Sequence, residues 1–185
     1  MIPQLATDPY ANNTRQTRKH LDQMVDFFTW KLWPHENILD IGDRNPLTDK
    51  LEKELGLIIT NTSGDIDDNT LDIPDYYKYD HIIYSHIMEH QFNPLYTLLR
   101  LKEHMKRECK IYIAVPDRGK LLWDKGHFHE IDRYRMGLLI KRAGLQIIRH
   151  KRFKERREWW FYLTGVRPLL RYFFEYDSIY TVILK

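Results

Sequence analysis

Cysteine is nearly absent from this chain of 185 residues. The single thiol, Cys109, excludes an intramolecular disulfide framework and fits a reducing compartment. No uncharged apolar run is long enough to span a bilayer. Met1 to Asn13 lacks the basic-then-apolar layout of a secretion signal, so the expectation is a soluble, cytoplasmic protein. No internal repeat or low-complexity tract is visible, and the eight glycines and eight prolines mark turns rather than linkers. The formal charge of +3 is too small to imply a nucleic-acid partner by itself. What the chain has in plenty is aromatics: 12 Tyr, 8 Phe and 5 Trp. Its length suits one domain, 1–185, with a sizeable core.

In chain order, 1–13 reads as an irregular arm opposed to regular structure by Pro3 and Pro9. Thr14 to Trp33 reads as a helix, because Leu21, Met24, Val25, Phe28 and Leu32 recur at three and four before Pro34 stops it. Arm and helix together make 1–36. A short strand at Ile38–Ile41 then meets Gly42 and a turn-prone cluster, followed by a helix with Leu47, Leu51 and Leu55, closed by Gly56. Further strands are expected at Leu57–Thr60, His81–Ser85, Lys110–Val115 (closed by Pro116), Leu145–His150 and Ser178–Leu184. Helices are expected from Pro94 towards Met105 and at Arg133–Ala143, with His86–His90 as a short turn or helix. Strands separated by helices point to an α/β protein: a Rossmann-like three-layer sandwich with a mostly parallel sheet.

The stretch Asn37 to Pro46 organises the rest. It reads as strand, tight turn, helix, and in an open α/β sheet the crevice beyond the carboxyl end of such a strand is where cofactors sit. A helix N-terminus there also offers free N–H groups to an anion.

Several segments, in order across roughly Asn37 to Lys151, resemble the class I S-adenosylmethionine-dependent methyltransferases of the small-molecule type. Ile38-Leu39-Asp40-Ile41-Gly42 resembles the start of the glycine-rich first motif. Gly64-Asp65-Ile66-Asp67 with Leu71-Asp72-Ile73-Pro74 resembles the acidic segment on the adenine side. Tyr79 to His90 resembles the fourth-strand motif ending in Glu-His, and Ile111 to Pro116 the fifth strand. Phe128-His129 with Leu138, Leu139 and Ala143-Gly144-Leu145 resembles the segment that leads into a late strand.

The resemblance implies an antiparallel last strand and S-adenosylmethionine as cofactor, contacted by Asp40, Gly42, Arg44, Asp65, Asp67 and Ser85. Its departures carry expectations too. Asp43-Arg44-Asn45-Pro46 replaces the usual glycines, so Arg44 either pairs with the methionine carboxylate or is a solvated loop residue. The sheet is shortened between the second and fourth strands, and Asn61, Thr62 or Ser63 stands near the usual ribose-binding acid. Asp65 or Asp67 takes that role, or the segment is an acidic solvated loop.

Methyl transfer needs in-line positioning and removal of the acceptor's proton, a task suited to histidine. His129, His127 and His86 are the candidates, all expected at the carboxyl ends of strands. His129 is oriented by Glu130 and Asp132, or Asp132 is instead a helix cap and Glu130 a solvated neighbour. His90 with Glu89 serves to hold the post-strand turn. His86, His90, His127 and His129 lack a tight ligand spacing, and no metal is assigned. Asn93-Pro94-Leu95-Tyr96 resembles the Asn-Pro-Pro-Tyr signature of amino-methylating enzymes, but lacks the second proline and reads as a helix start.

The acceptor implied is a small molecule, for instance a sugar or glycan hydroxyl. The rival is a non-catalytic binding or assembly protein of the same fold. The basic run Arg149–Arg157 reads first as a solvated strand end and loop, with a phosphate or anionic-lipid contact as the alternative; a nucleic-acid methyltransferase gains from it, but the chain shows no separate recognition domain. The insertion 152–176, with aromatics and arginines interleaved over 159–176, is expected as a pocket lid or homodimer face. Peripheral membrane contact is the weaker alternative, because Gly165 and Pro168 interrupt a long helix.

Overall fold

The stripe of Leu21, Met24, Val25 and Phe28 makes α1 (Arg15–Phe28) and all four are buried. In this computed structural model the described residues are 15–29, 31–63, 67, 73, 77–118, 122, 127–154 and 157–185, with backbone alone at 15–17 and 118. The arm 1–13 lies outside them. The first helix ends before the expected Trp33: Lys31 N donates to Phe28 O in a tighter turn, and Leu32 reaches the core from outside the helix.

The focal stretch forms β1 (Ile38–Asp40) and α2 (Pro46–Leu55). Asn45 caps the helix, accepting from Leu47 N at 2.9 Å and Thr48 N at 3.2 Å, and Pro46 fills the first position where no N–H is needed. Gly56 ends it at φ 65. After β2 (Ile59–Asn61) and β3 (Tyr79–Ser85) come a 3₁₀ turn at Met88–His90 and α3 (Pro94–Glu103). Asn93 accepts from Tyr96 N at 3.1 Å, so its side chain is a cap, as the helix-start reading requires. Next are β4 (Met105–Arg118), α4 (Arg133–Arg142), β5 (Leu145–Lys154), a 3₁₀ turn (Trp159–Leu163), α5 (Val166–Phe174) and β6 (Glu175–Leu184).

β3 begins two residues before its expected start, and β4, β5 and β6 outrun their expected limits further. β4 passes through Pro116 because β3 stops pairing at Ser85↔Ala114, which leaves one edge of β4 open there. β5 and β6 extend together, Lys154 pairing with Tyr176.

The sheet order is β2-β1-β3-β4-β6-β5. β2, β1, β3 and β4 are parallel, and β6 runs antiparallel to both its neighbours. Among the described residues no helix or strand lies between β2 and β3, which matches the expected shortening. Alternation along the strands feeds two cores. Ile82, Tyr84, Ile111 and Ile113 pack with Leu98, Leu101, Met136 and Ile140 of α3 and α4. Ile83 and Tyr112 pack with Val25, Phe28, Leu47 and Leu51 of α1 and α2. Helices thus cover both faces, giving the three-layer sandwich.

Candidate active site

Strand order reverses direction between β1 and β3, so the crevice of this sheet opens at their carboxyl ends, beside Gly42 and Ser85. Gly42 adopts φ 100, a conformation L side chains rarely take, and a Cβ there would meet the Ile87 Cδ1 at 2.8 Å. Its N–H donates to Thr62 Oγ1 at 2.7 Å and its carbonyl accepts from Asn61 Nδ2 at 3.3 Å. The end of β2 is therefore turned inward onto β1.

Asp40 is 1% exposed. Its Oδ2 accepts from Thr48 Oγ1 at 2.6 Å, Asn45 Nδ2 at 3.2 Å and Asn61 Nδ2 at 3.4 Å. Burial pushes its carboxyl up to about 6, against the lowering by those three hydrogen bonds. Oδ1 has no hydrogen-bond partner among the described residues, and neither does the buried Ser85 Oγ. Two polar atoms that lack partners thus lie at the carboxyl ends of adjacent strands, where an unpaired buried group costs about 1–3 kcal/mol.

Arg44 faces the other way. Its guanidinium donates to Asp49 at 2.7 Å and to Glu52, along the exposed side of α2. Asp67 accepts from Phe92 N through both oxygens, at 3.0 and 2.9 Å, and so ties its loop to the turn after β3. Asp65 lies outside the described residues.

Beyond Ser85 the backbone turns sharply at His86, whose φ of 55 is the one positive value at a non-glycine residue among those described. The ring Nδ1 lies 3.5 Å from Glu89 Oε1, and the ring meets that of His20 edge-on at 5.6 Å. His20 Nδ1 is 3.4 Å from Asp177 Oδ2. His20, on α1, is 7% exposed and Asp177, on β6, is 3% exposed. Asp177 pairs with Pro116 and so reaches the same end of the sheet as His86. Ligand-type atoms of His20, His86 and Asp177 lie within 4.8 Å of one another, as do those of Glu89, His90 and His127. Both groups have the residue types that hold a divalent cation. Burial works to raise the Glu89 carboxyl, but hydrogen bonding and charge from His86, with His90, outweigh it and leave it below the ordinary value.

The loop after β4 docks on this turn: Phe128 N and His129 N both donate to Glu89 O, at 2.9 and 3.1 Å. His127 Nδ1 lies 3.0 Å from Glu130 Oε1, and its ring is edge-on to His90 at 4.8 Å. His129 Nε2 is 3.3 Å from Phe92 O. Asp132 caps α4, accepting from Arg135 N at 2.8 Å. Glu130 thus serves His127, not His129, and Asp132 is the cap. His127, His129, Asn93, Phe128, Glu130 and Leu138 contribute to the walls of a cavity of about 630 Å³ between α3 and α4.

No protein-family model matches this sequence, and no curated protein does. Solved structures match it in shape. An S-adenosylmethionine-dependent methyltransferase from Archaeoglobus fulgidus is 18% identical, with a TM-score of 0.59, over 89% of this chain and 92% of that one. Coclaurine N-methyltransferase, bound to N-methylheliamine and SAH, gives a TM-score of 0.62 at 9% identity, over 92% of this chain and 74% of its own. The cyclopropane synthase MmaA2 from Mycobacterium tuberculosis gives 0.63 at 11% identity, over 90% and 83%. The fold is that of the class I S-adenosylmethionine-dependent methyltransferases. At these identities the likeness is one of fold.

Within the methyltransferase fold, Asp40, Gly42 and Ser85 come together at the crevice, His86 stands one residue beyond, and His127 and His129 border the neighbouring cavity. Sequence reasoning missed His20 and Asp177. The signal for His20 was a polar residue on the apolar stripe, one turn before Met24. Asp177 gave a weaker one, a second acid near the start of a strand that becomes mostly apolar beyond Ser178.

Proposed function

We propose that this protein transfers a methyl group from S-adenosylmethionine to a hydroxyl of a small molecule, of the sugar or glycan class. The observation that carries the reading is the pair of buried polar atoms without partners among the described residues, Asp40 Oδ1 and Ser85 Oγ, flanking the positive-φ turn at Gly42. A charged amino-acid head and a nucleoside suit that chemistry: a carboxylate for an ammonium, a hydroxyl for either. When bound, the cofactor supplies a methyl group already activated by its positive sulfur.

The chain's own part is positioning and proton removal. The cavity beside α4 is of a size for a sugar, with apolar walls and a few polar groups. His127 is the proposed base. With Nδ1–H donated to Glu130, its Nε2 would take the acceptor hydroxyl's proton as that oxygen bonds the methyl carbon and the carbon–sulfur bond breaks, its electron pair staying on sulfur. His129 is an acceptor contact in this reading, and His86 with Glu89 holds the turn that joins crevice to cavity.

A specific observation favours the rival, a non-catalytic protein of this fold. Asn61 and Thr62 are spent on β1, Arg44 is turned away, and Ile87 leans on Gly42. Calorimetric titration with S-adenosylmethionine and its demethylated product decides between them. Micromolar binding of either is the expected result. Absence of heat from demonstrably folded protein would establish the rival.

A further inference from the structure

Among the described residues, none of those lining the cavity beside α4 comes from the segment joining β5 to β6. It folds as two short pieces, Trp159–Leu163 and α5, braced on each other. The Tyr162 hydroxyl accepts from Arg157 N at 2.7 Å, and its ring meets Tyr172 edge-on at 5.1 Å. Pro168 is tolerated because it falls in the first turn of α5, where no backbone N–H is required.

None of the residues of α5 is buried. Trp159, Trp160, Leu163, Val166, Leu169 and Phe173 all face out, with Trp159 73% and Val166 76% exposed. A lone exposed apolar side chain needs no explanation, but a contiguous set of large ones marks an interaction surface.

Charge identifies the occupant. From Arg149 to Glu175 the sequence carries eight lysines and arginines against three glutamates, and although Arg157 and Arg171 both pair with Glu175 the stretch keeps an excess of five positive charges in a chain that is only +3. Lys154 lies over Tyr172 at 4.4 Å and Arg157 over Phe161 at 4.8 Å, which keeps cationic groups beside the rings. A second copy docking through this face would set cation against cation, which disfavours self-association; an anionic surface would match it. Exposed tryptophans and branched side chains bordered by cations suit a segment lying in a lipid interface, rings at headgroup depth and cations at the phosphates. No helix among the described residues is long and apolar enough to cross a membrane, so the contact is with its surface.

We propose that residues 157–174, with Lys154, form a docking surface for an anionic lipid bilayer. This inference is independent of the methyl-donor reading, since vesicle binding requires no cofactor.

The test is sedimentation of the full chain with vesicles of phosphatidylcholine alone, or of phosphatidylcholine mixed with phosphatidylserine. The protein should pellet with the anionic vesicles only, with a blue shift of tryptophan emission. Binding should fall roughly tenfold or more in Trp159→Ser/Trp160→Ser and in Lys154→Glu/Arg167→Glu. Circular dichroism establishes that these surface variants fold. Three results would overturn the proposal: no pelleting, equal pelleting with neutral vesicles, or variants that bind like the parent. A concentration-dependent dimer that Trp160→Ser dissolves, without vesicle binding, would assign the face to a second copy instead.

Discussion

Replacing Asp40 by asparagine should remove an ionisation and leave its hydrogen bonds in place. The carboxylate receives all three of its described donors, from Thr48, Asn45 and Asn61, on Oδ2. An amide whose carbonyl takes that position still accepts from them. Burial holds the Asp40 carboxyl at about 6, above its ordinary 3.8. A carboxyl raised in the folded state favours folding most at low pH. Its contribution is fully present below about 3.8 and is lost as pH rises through about 6. Between about pH 5 and about pH 8 the parent should lose about 1.4 kcal/mol that Asp40→Asn keeps. At a urea slope of about 2 kcal/mol/M this is a divergence of about 0.7 M in the midpoints. Comparing the two proteins cancels every other titrating group. Parallel midpoints across that range would refute the claim that burial shifts this carboxyl. Ligand binding offers a second readout: an ammonium settling beside Asp40 lowers its pKa, so near pH 6 binding should release a proton. The heat of titration then depends on the buffer's ionisation enthalpy for the parent and not for the variant.

Gly42→Ala places a Cβ at φ 100 against the Ile87 Cδ1, so a stability loss of about 1–2 kcal/mol is expected by thermal denaturation. Ile87→Ala in the same chain should recover the part due to contact but not the part due to backbone strain. His127→Asn should leave donor affinity unchanged in calorimetry and lower kcat by about 10²–10⁴ once an acceptor is found; Glu130→Gln should cost less and change the pH profile. Equal losses of donor binding in both variants would remove His127 from the proton-transfer role. Asn45→Ala deletes the cap of α2 and one donor to Asp40 together, for an expected loss of about 1–2 kcal/mol in urea unfolding.

Much of this architecture could be read from local chemistry. The run Ile38-Leu39, the glycine after it and the spacing of Leu47, Leu51 and Leu55 each agree with the element that forms, and Asn45 and Gly56 mark its ends by their capping chemistry. Limits set by tertiary pairing were less legible. Pro116 reads as a stop until the strand beside it is known to have ended, and the alternation after His150 is too basic to suggest a strand until β6 is there to pair with it. The candidate site divides in the same way. Gly42 and Ser85 are legible because their place follows from one βα unit and one strand end. The Glu130 partner was misread because sequence adjacency to His129 suggests contact, whereas successive side chains in this loop point apart and Glu130 meets His127. His20 and Asp177 come from opposite ends of the chain and meet only through the packing of α1 over β6.

The replacement of the first motif's glycines also has a physical reading. Side-chain hydrogen bonds hold the turn after β1. Asn45 caps α2 and reaches Asp40, Thr48 donates to the same oxygen, and Asn61 bridges from β2 to both Asp40 and Gly42. A network of this kind fixes the turn without a flexible backbone, and it leaves Arg44 free of the crevice to pair along α2. It also occupies the end of β2. In the proposed reading the charged end of the donor meets Asp40 and Ser85, beside this network. Donor affinity and the stability of the Asp40 network then depend on the same hydrogen bonds. A variant that loosens Asn61 or Thr48 should weaken both together, whereas one that alters the cavity beside α4 should change neither.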